Sequence, residues 1–237
     1  MNKMLILAIM LISLACMAWG VSIYDIQYTS MPGSDNTYPS RYAGKSVSTE
    51  GIVAAVNYRN GGYFISETIA GPYSGILVLD SRSSVNIGDR IRISGTVYET
   101  FGMTCLQDIT NTTILERNHP LPHPVTLTTA QLTSAIEAEA YEGVYARVLS
   151  ISTANSRNSR GKFSVTDGTG LCTIQLGTFT NIANQQSLSS QFSSITGIVI
   201  YGFGEFSLNP ISRNDLVENQ PVSIQNRSWG RIKSIYK

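Results

Sequence analysis

The chain has two histidines, His119 and His123, and both stand in the run Asn118-His-Pro-Leu-Pro-His-Pro124. Two histidines four apart can hold a metal ion from one face of a helix. The prolines around them forbid that helix, so solvated linker side chains are expected instead. The carboxylates are scattered over turns and strand ends. Asp89 and Asp167 fall at Gly-Asp and Asp-Gly steps, where an Asp side chain bonds its own backbone. No Gly-x-Ser-x-Gly elbow presents a serine nucleophile. Neither Asn60-Gly61-Gly62 nor Gly202-Phe203-Gly204 precedes a predicted helix, as a phosphate cradle requires. The expectation is a chain that is not an enzyme, with no catalytic residue, metal or cofactor.

A different chemistry is better supplied. Single-stranded nucleic acid is held by cations that follow its phosphates and by aromatic rings that stack on its bases. Tyr58, Arg59 and Tyr63 flank the glycine turn at 60–62, and Phe101 stands in a later turn. Further along, Arg157, Arg160 and Lys162 share one loop, and Tyr201 and Phe203 share another. These nine residues are the candidate nucleic-acid contacts. The competing reading is that some of the rings fill barrel interiors.

The elements that must carry them read as strands. Residues 47–58, 63–67, 75–80, 90–98 and 103–109 are β-rich and separated by turns. In Arg90-Ile-Arg-Ile-Ser-Gly-Thr-Val-Tyr98 the alternation puts Ile91, Ile93, Gly95 and Val97 on one side. Three prolines make 118–124 an extended linker. Thr128 to Glu137 then reads as one short helix, with Thr128 as N-cap and Gln131 in the capping-box position. After it the strand pattern recurs. Glu142-Gly143-Val-Tyr-Ala-Arg-Val148 matches Glu50-Gly51-Ile-Val-Ala-Ala-Val56, and Lys162 to Asp167 matches Gly62 to Glu67. Gly197 to Ile211 matches Gly95 to Ile109, so the chain is a duplication with a period of about 95 residues.

Composition agrees. The 237 residues are 42% hydrophobic, enough for ordinary cores, and only 14% charged. The fold class is therefore all-β, two tandem five-stranded barrels like the oligonucleotide/oligosaccharide-binding (OB) fold, each with at most one short helix. A β-sandwich is the alternative, but it needs about seven strands per domain. The expected boundaries are a signal peptide at 1–20, barrels at 21–117 and 125–218, the linker between them, and a basic tail at 219–237.

Ile23-Tyr-Asp-Ile-Gln27, Tyr42 to Val56, Gly62-Tyr-Phe-Ile-Ser66 and Ile87 to Val97 together resemble the OB module ahead of the nuclease domain in secreted bacterial nucleases. Leu121 to Thr129, Ala140 to Val148 and Val165-Thr-Asp-Gly168 are similar to the module that follows it. The resemblance covers residues 23–218 and implies the fold and a ligand-binding role. It does not imply hydrolysis, because no nuclease domain follows.

Lys3, the apolar run Met4–Ala15 and the small residues Ala18 and Gly20 read as a cleaved secretory signal. The alternative is a lipoprotein signal with Cys16 lipidated. A secreted or periplasmic protein without an integral membrane segment, monomeric, is expected. In an oxidising compartment Cys105 and Cys172 could pair, or both could be buried thiols. The overall charge of +1 argues against a binder driven by bulk electrostatics. Yet residues 21–150 carry 8 basic and 12 acidic residues, and 151–237 carry 8 and 4. The second half is the better candidate for phosphate contact. The leading expectation is a secreted module for single-stranded or extracellular nucleic acid. The alternatives are an envelope or cell-surface protein that binds a glycan or a protein, and an accessory subunit of a separate nuclease.

Overall fold

Strict alternation along Arg90–Thr100 fixes the first barrel's geometry. Ile91, Ile93 and Val97 turn inward, while Arg90 and Arg92 turn outward onto Glu50 of the neighbouring strand, at 3.1 and 2.6 Å. The structure, a computed structural model, describes residues 20–33, 37–179 and 189–219. The predicted signal segment up to residue 19 and all of the basic tail after Asn219 lie outside the described residues.

Strands β1 (Ser46–Tyr58), β2 (Gly62–Ser66), β3 (Gly75–Val78), β4 (Arg90–Thr100) and β5 (Met103–Glu116) close in the order β1-β2-β3-β5-β4. Only β3 and β5 pair in parallel; the other neighbours are antiparallel. Helix α1 (Ile23–Gln27), capped by the Ser22 side chain, packs Ile23 and Ile26 into this barrel's core.

The second half repeats the plan. Its strands are β6 (Val125–Thr126), β7 (Tyr145–Thr153), β8 (Lys162–Thr166), β9 (Cys172–Gln175), β10 (Gln191–Gly202), β11 (Glu205–Asn209) and β12 (Leu216–Glu218). The ring β7-β8-β9-β11-β10 closes through β10 on β7, with β6 and β12 added at its flanks. The pair β9 and β11 is parallel, as β3 and β5 are in the first copy. The protein is all-β, two tandem OB-like barrels. Among the described residues, no helix is long and apolar enough to cross a membrane.

Three details depart from expectation. The capping box of Thr128 and Gln131 forms, but the helix is divided: α2 (Thr129–Thr133) ends at Ser134 and α3 (Ala135–Glu139) begins there. Ser134 has an extended ψ of 111° and accepts from Glu137 N, so it closes one helix and caps the next. The second barrel therefore has two short helices where at most one was expected. Strand β9, with Cys172 and Ile174 inward, stands where no strand range was read from the sequence. Strand β5 continues to Glu116 through a polar stretch, held there by pairing with Arg90–Ser94.

The two barrels share a core. On β2, Tyr63 and Ile65 face the barrel interior, while Phe64 faces out, and all five residues of the strand are buried. Phe64, Leu77 and Cys105 pack outward against Phe179, Ile198, Ile200 and Ile211 of the second barrel. The outer face of β2 and β3, where single OB barrels meet their ligands, is thus covered by the neighbour.

Candidate nucleic-acid interface

What the covered face leaves open is a cleft between two hairpin tips. The β4–β5 turn carries Phe101 and Gly102, and the β10–β11 turn carries Phe203 and Gly204. Phe101 and Phe203 have φ of 54° and 55°, and each glycine follows with φ above 80°. Two left-handed residues in succession match the right-handed twist of the strands. A bulky residue in that region is uncommon, and such positions cluster at ligand sites. The conformation throws both rings into solvent: Phe101 is 84% exposed and Phe203 is fully exposed.

Both tips line one cleft of about 870 Å³, together with Tyr58, Arg59, Asn60, Leu79 and half-buried Tyr201. The loop from β1 to β2 supplies Arg59 and Asn60, again with positive φ. The Arg59 guanidinium lies 5.2 Å from the Tyr58 ring centroid. Burial raises the Tyr58 hydroxyl, and the Arg59 charge opposes it. Asp80 also lines the cleft. Burial alone would push its carboxyl up, but bonds from Ser83 and Arg82 hold it below the ordinary value. Asp80 is thus engaged by Arg82, and Arg59 forms no ion pair among the described residues.

The candidate surface continues over the second barrel. Lys162, at the start of β8, is ion-paired with Glu205, which adjoins the Phe203 tip. Outward from it, β8 and β9 present half-exposed Ser164, Thr173 and Gln175. Arg160 is exposed and Arg157 half-buried on the preceding loop.

No family model and no curated protein matches the sequence. Solved structures give only distant likenesses. The HINb domain of p204 is 12% identical, covers 71% of this chain and 92% of its own, and gives a TM-score of 0.36. A murine DNA-binding protein bound to double-stranded DNA is 11% identical over 73% and 96%, with a TM-score of 0.39. The HINa domain of Ifi202 in complex with 20-bp double-stranded DNA is 13% identical over 75% and 96%, with a TM-score of 0.34. Function does not transfer at such values.

Five of the nine predicted contacts therefore meet at one place: Tyr58, Arg59, Phe101, Tyr201 and Phe203. Tyr63 does not. It is 1% exposed inside the first barrel, and burial pushes its hydroxyl up to about 12. Tyr58 is 3% exposed and serves as floor, with no free face for a base. Arg157, Arg160 and Lys162 stand outside the cleft. The disulfide alternative is also corrected. Cys105 and Cys172 are free buried thiols in separate clusters, one between the barrels and one inside the second. Sequence reading missed Leu79 and Met103 as cleft walls. Their positions, just past β3 and at the start of β5, are legible as walls only once the second barrel's position is known.

Proposed function

We propose that the chain is a non-catalytic binding module for single-stranded nucleic acid. The observation that carries it is the pair Phe101 and Phe203, held outward at two duplicated tips across one cleft beside Arg59. In this reading bases stack on the two rings and the phosphate backbone passes Arg59. The strand then leaves over Arg160 and Lys162, with Lys162 exchanging Glu205 for a phosphate. The resemblance to modules of secreted nucleases and the signal-like Lys3–Ala15 segment support a secreted or periplasmic setting, where a separate nuclease is a fitting partner.

The test is fluorescence anisotropy of a labelled oligothymidine at low and moderate salt. Binding that weakens with salt and is lost in the Phe101→Ala/Phe203→Ala variant supports the reading. No binding even at low salt sinks it. One observation favours a second reading: the cleft walls are mainly apolar and carry little net charge. Phenylalanine rings stack equally on sugar faces, so a glycan bound in the absence of oligothymidine binding would replace the first reading.

A further inference from the structure

The floor of the cleft rests on a seam where the two barrels touch through backbone. Gly75, opening β3, and Gly143, just before β7, leave no room for side chains. A Cβ on Gly75 would meet Gly143 O at 2.1 Å, and one on Gly143 would meet Gly75 O at 2.9 Å. Hydrogen bonds cross and brace the seam. Gln27 Nε2 donates to Gly75 O at 2.7 Å and to Glu142 O at 3.4 Å. Tyr73 N donates to Ala140 O at 2.5 Å. Thr104 N, on β5 of the first barrel, donates to Glu142 Oε1 of the second at 2.9 Å.

Glu142 is 3% exposed, and its Oε2 has no hydrogen-bond partner among the described residues. A buried carboxylate oxygen left without a partner is costly when charged and tolerable when protonated. The charged groups that act on Glu142 are themselves acids: Glu139 on α3 and Glu99 on β4. Glu99 is held nearby, accepting from Thr104 Oγ1 at 2.9 Å and Ser40 N at 2.8 Å. The other titratable groups near it are Tyr58 on β1 and Cys105 on β5, both raised by burial and so kept neutral. Gln27 on α1 is uncharged. Burial, then the charge of Glu139, raises the Glu142 carboxyl well above the usual range, against the opposing pull of Thr104 N–H. Burial likewise pushes Glu139 to about 7.

We propose that the seam is a proton-held joint: protonated Glu142 clasps the barrels and so assembles the cleft, and its ionisation lets them part. With Glu139 and then Glu142 ionised, the buried Glu142 charge faces half-buried Glu139 and exposed Glu99 at the edge of the seam. Glu142 leaves it for water and releases Thr104. The hairpin that carries Phe101 then loses its tether and moves away from Phe203. The joint stands on the geometry of the seam. Its effect on ligand rests on the nucleic-acid reading of the cleft.

The experiment follows the full chain from about pH 5 to about pH 9 by two probes. Hydrogen exchange reads the Thr104 amide, corrected for its intrinsic pH dependence. Small-angle scattering reads the radius of gyration. The wild type should lose at least about tenfold of Thr104 protection and expand as pH rises, because the opened fraction follows the lost proton. Glu142→Gln keeps an acceptor for Thr104 N and cannot ionise, so it should stay closed throughout. Glu139→Gln removes one repelling charge and should move the wild-type midpoint to higher pH. It decides the matter if Glu142→Gln fails to fold. A wild type that stays protected at every pH overturns the joint. So does either variant opening with the wild-type midpoint. Oligothymidine binding is read in parallel. Absence of binding at all pH values sinks the nucleic-acid reading, while exchange and scattering still decide the joint. Binding unchanged through the opening overturns the claim that the joint assembles the site.

Discussion

The ring of Tyr201 lies so close to Gly102 that a Cβ on the glycine would meet Cε1 at 2.6 Å. The first barrel's hairpin tip thus leans on an aromatic wall of the second. Phe206 packs against that wall, with ring centroids 4.9 Å apart. Gly102 also has a φ of 82°, which a side chain adopts only under strain. Gly102→Ala should therefore cost about 1–3 kcal/mol of stability and displace Tyr201 from the cleft. Thermal melting and oligothymidine anisotropy read the two effects. Wild-type behaviour in both would show that the contact carries nothing.

Exposed and buried aromatics should respond in opposite ways. Phe101→Ala and Phe203→Ala should each leave stability within about 0.5 kcal/mol, as surface substitutions do. Each should weaken oligothymidine binding by roughly 1–3 kcal/mol, about 5- to 150-fold. Tyr63→Ala should instead lose about 3–5 kcal/mol of stability through the cavity it leaves. Urea titration beside anisotropy separates the two classes. A Tyr63 variant with intact stability but lost binding would restore the sequence-based role for that ring.

The shared core predicts one unfolding event. Phe64 reaches from β2 into a cluster with Ile198, Ile200 and Phe179 of the other barrel. Phe64→Ala should cost about 3–5 kcal/mol and lower the midpoint of both halves together. Tyrosine fluorescence and far-ultraviolet dichroism should report coincident transitions. Two separated transitions would mean that the barrels fold independently.

Stability should pass through a maximum on the acid side of neutrality. Burial alone would raise the Asp167 carboxyl, but hydrogen bonds from Thr129 and Thr169 hold it at about 2. A depressed carboxyl stabilises above its ordinary value and loses that contribution as pH falls through about 2. Glu139 is raised to about 7, so its protonated form stabilises at low pH. That contribution declines as pH climbs from the ordinary carboxylate value through about 7, and Glu142 extends the decline. Denaturant midpoints against pH should show both limbs. Asp167→Asn should shrink the acid limb, leaving the part that depressed Asp80 supplies, and a flat profile in the wild type would refute the assignment.

Both described cysteines should be silent toward thiol reagents while the barrels are closed, at about pH 6. Burial raises the Cys105 thiol and pushes Cys172 up to about 12, so neither supplies the reactive thiolate. Labelling of Cys172 should appear only on unfolding, and that of Cys105 on unfolding or when the seam parts at higher pH. Rapid native labelling of Cys105 would show that the seam between the barrels opens readily.

Alternation and turn chemistry were enough to read most of the fold. The β4 pattern, the capping box at Thr128 and the recurrence of Gly95–Ile109 at Gly197–Ile211 each follow from local rules, and the structure holds them. The site was only half legible. Phe101 and Phe203 sit in turns, where short-range sequence speaks directly. Tyr63 looked like their equal because it enters a strand beside a glycine loop, but strand phase sends it inward. Which phase is inside depends on the register of neighbouring strands, a long-range property. Leu79, Met103 and Glu142 acquire roles only from the way one barrel sits on the other, and no local pattern encodes that.

Because β2 and β3 of the first barrel are covered by the second, the nucleic-acid reading proposed above has one continuous site, the cleft with the β8–β9 face beside it, and not two separate ones. Tandem modules on a free tether gain avidity, with a second contact favoured by an effective concentration that the linker sets. Here that gain is absent. Binding should be one to one, with a single phase. Lengthening or shortening the proline linker should leave affinity unchanged so long as the shared core holds. The ligand length that suffices should be set by the gap between two hairpin tips, not by the sum of two footprints.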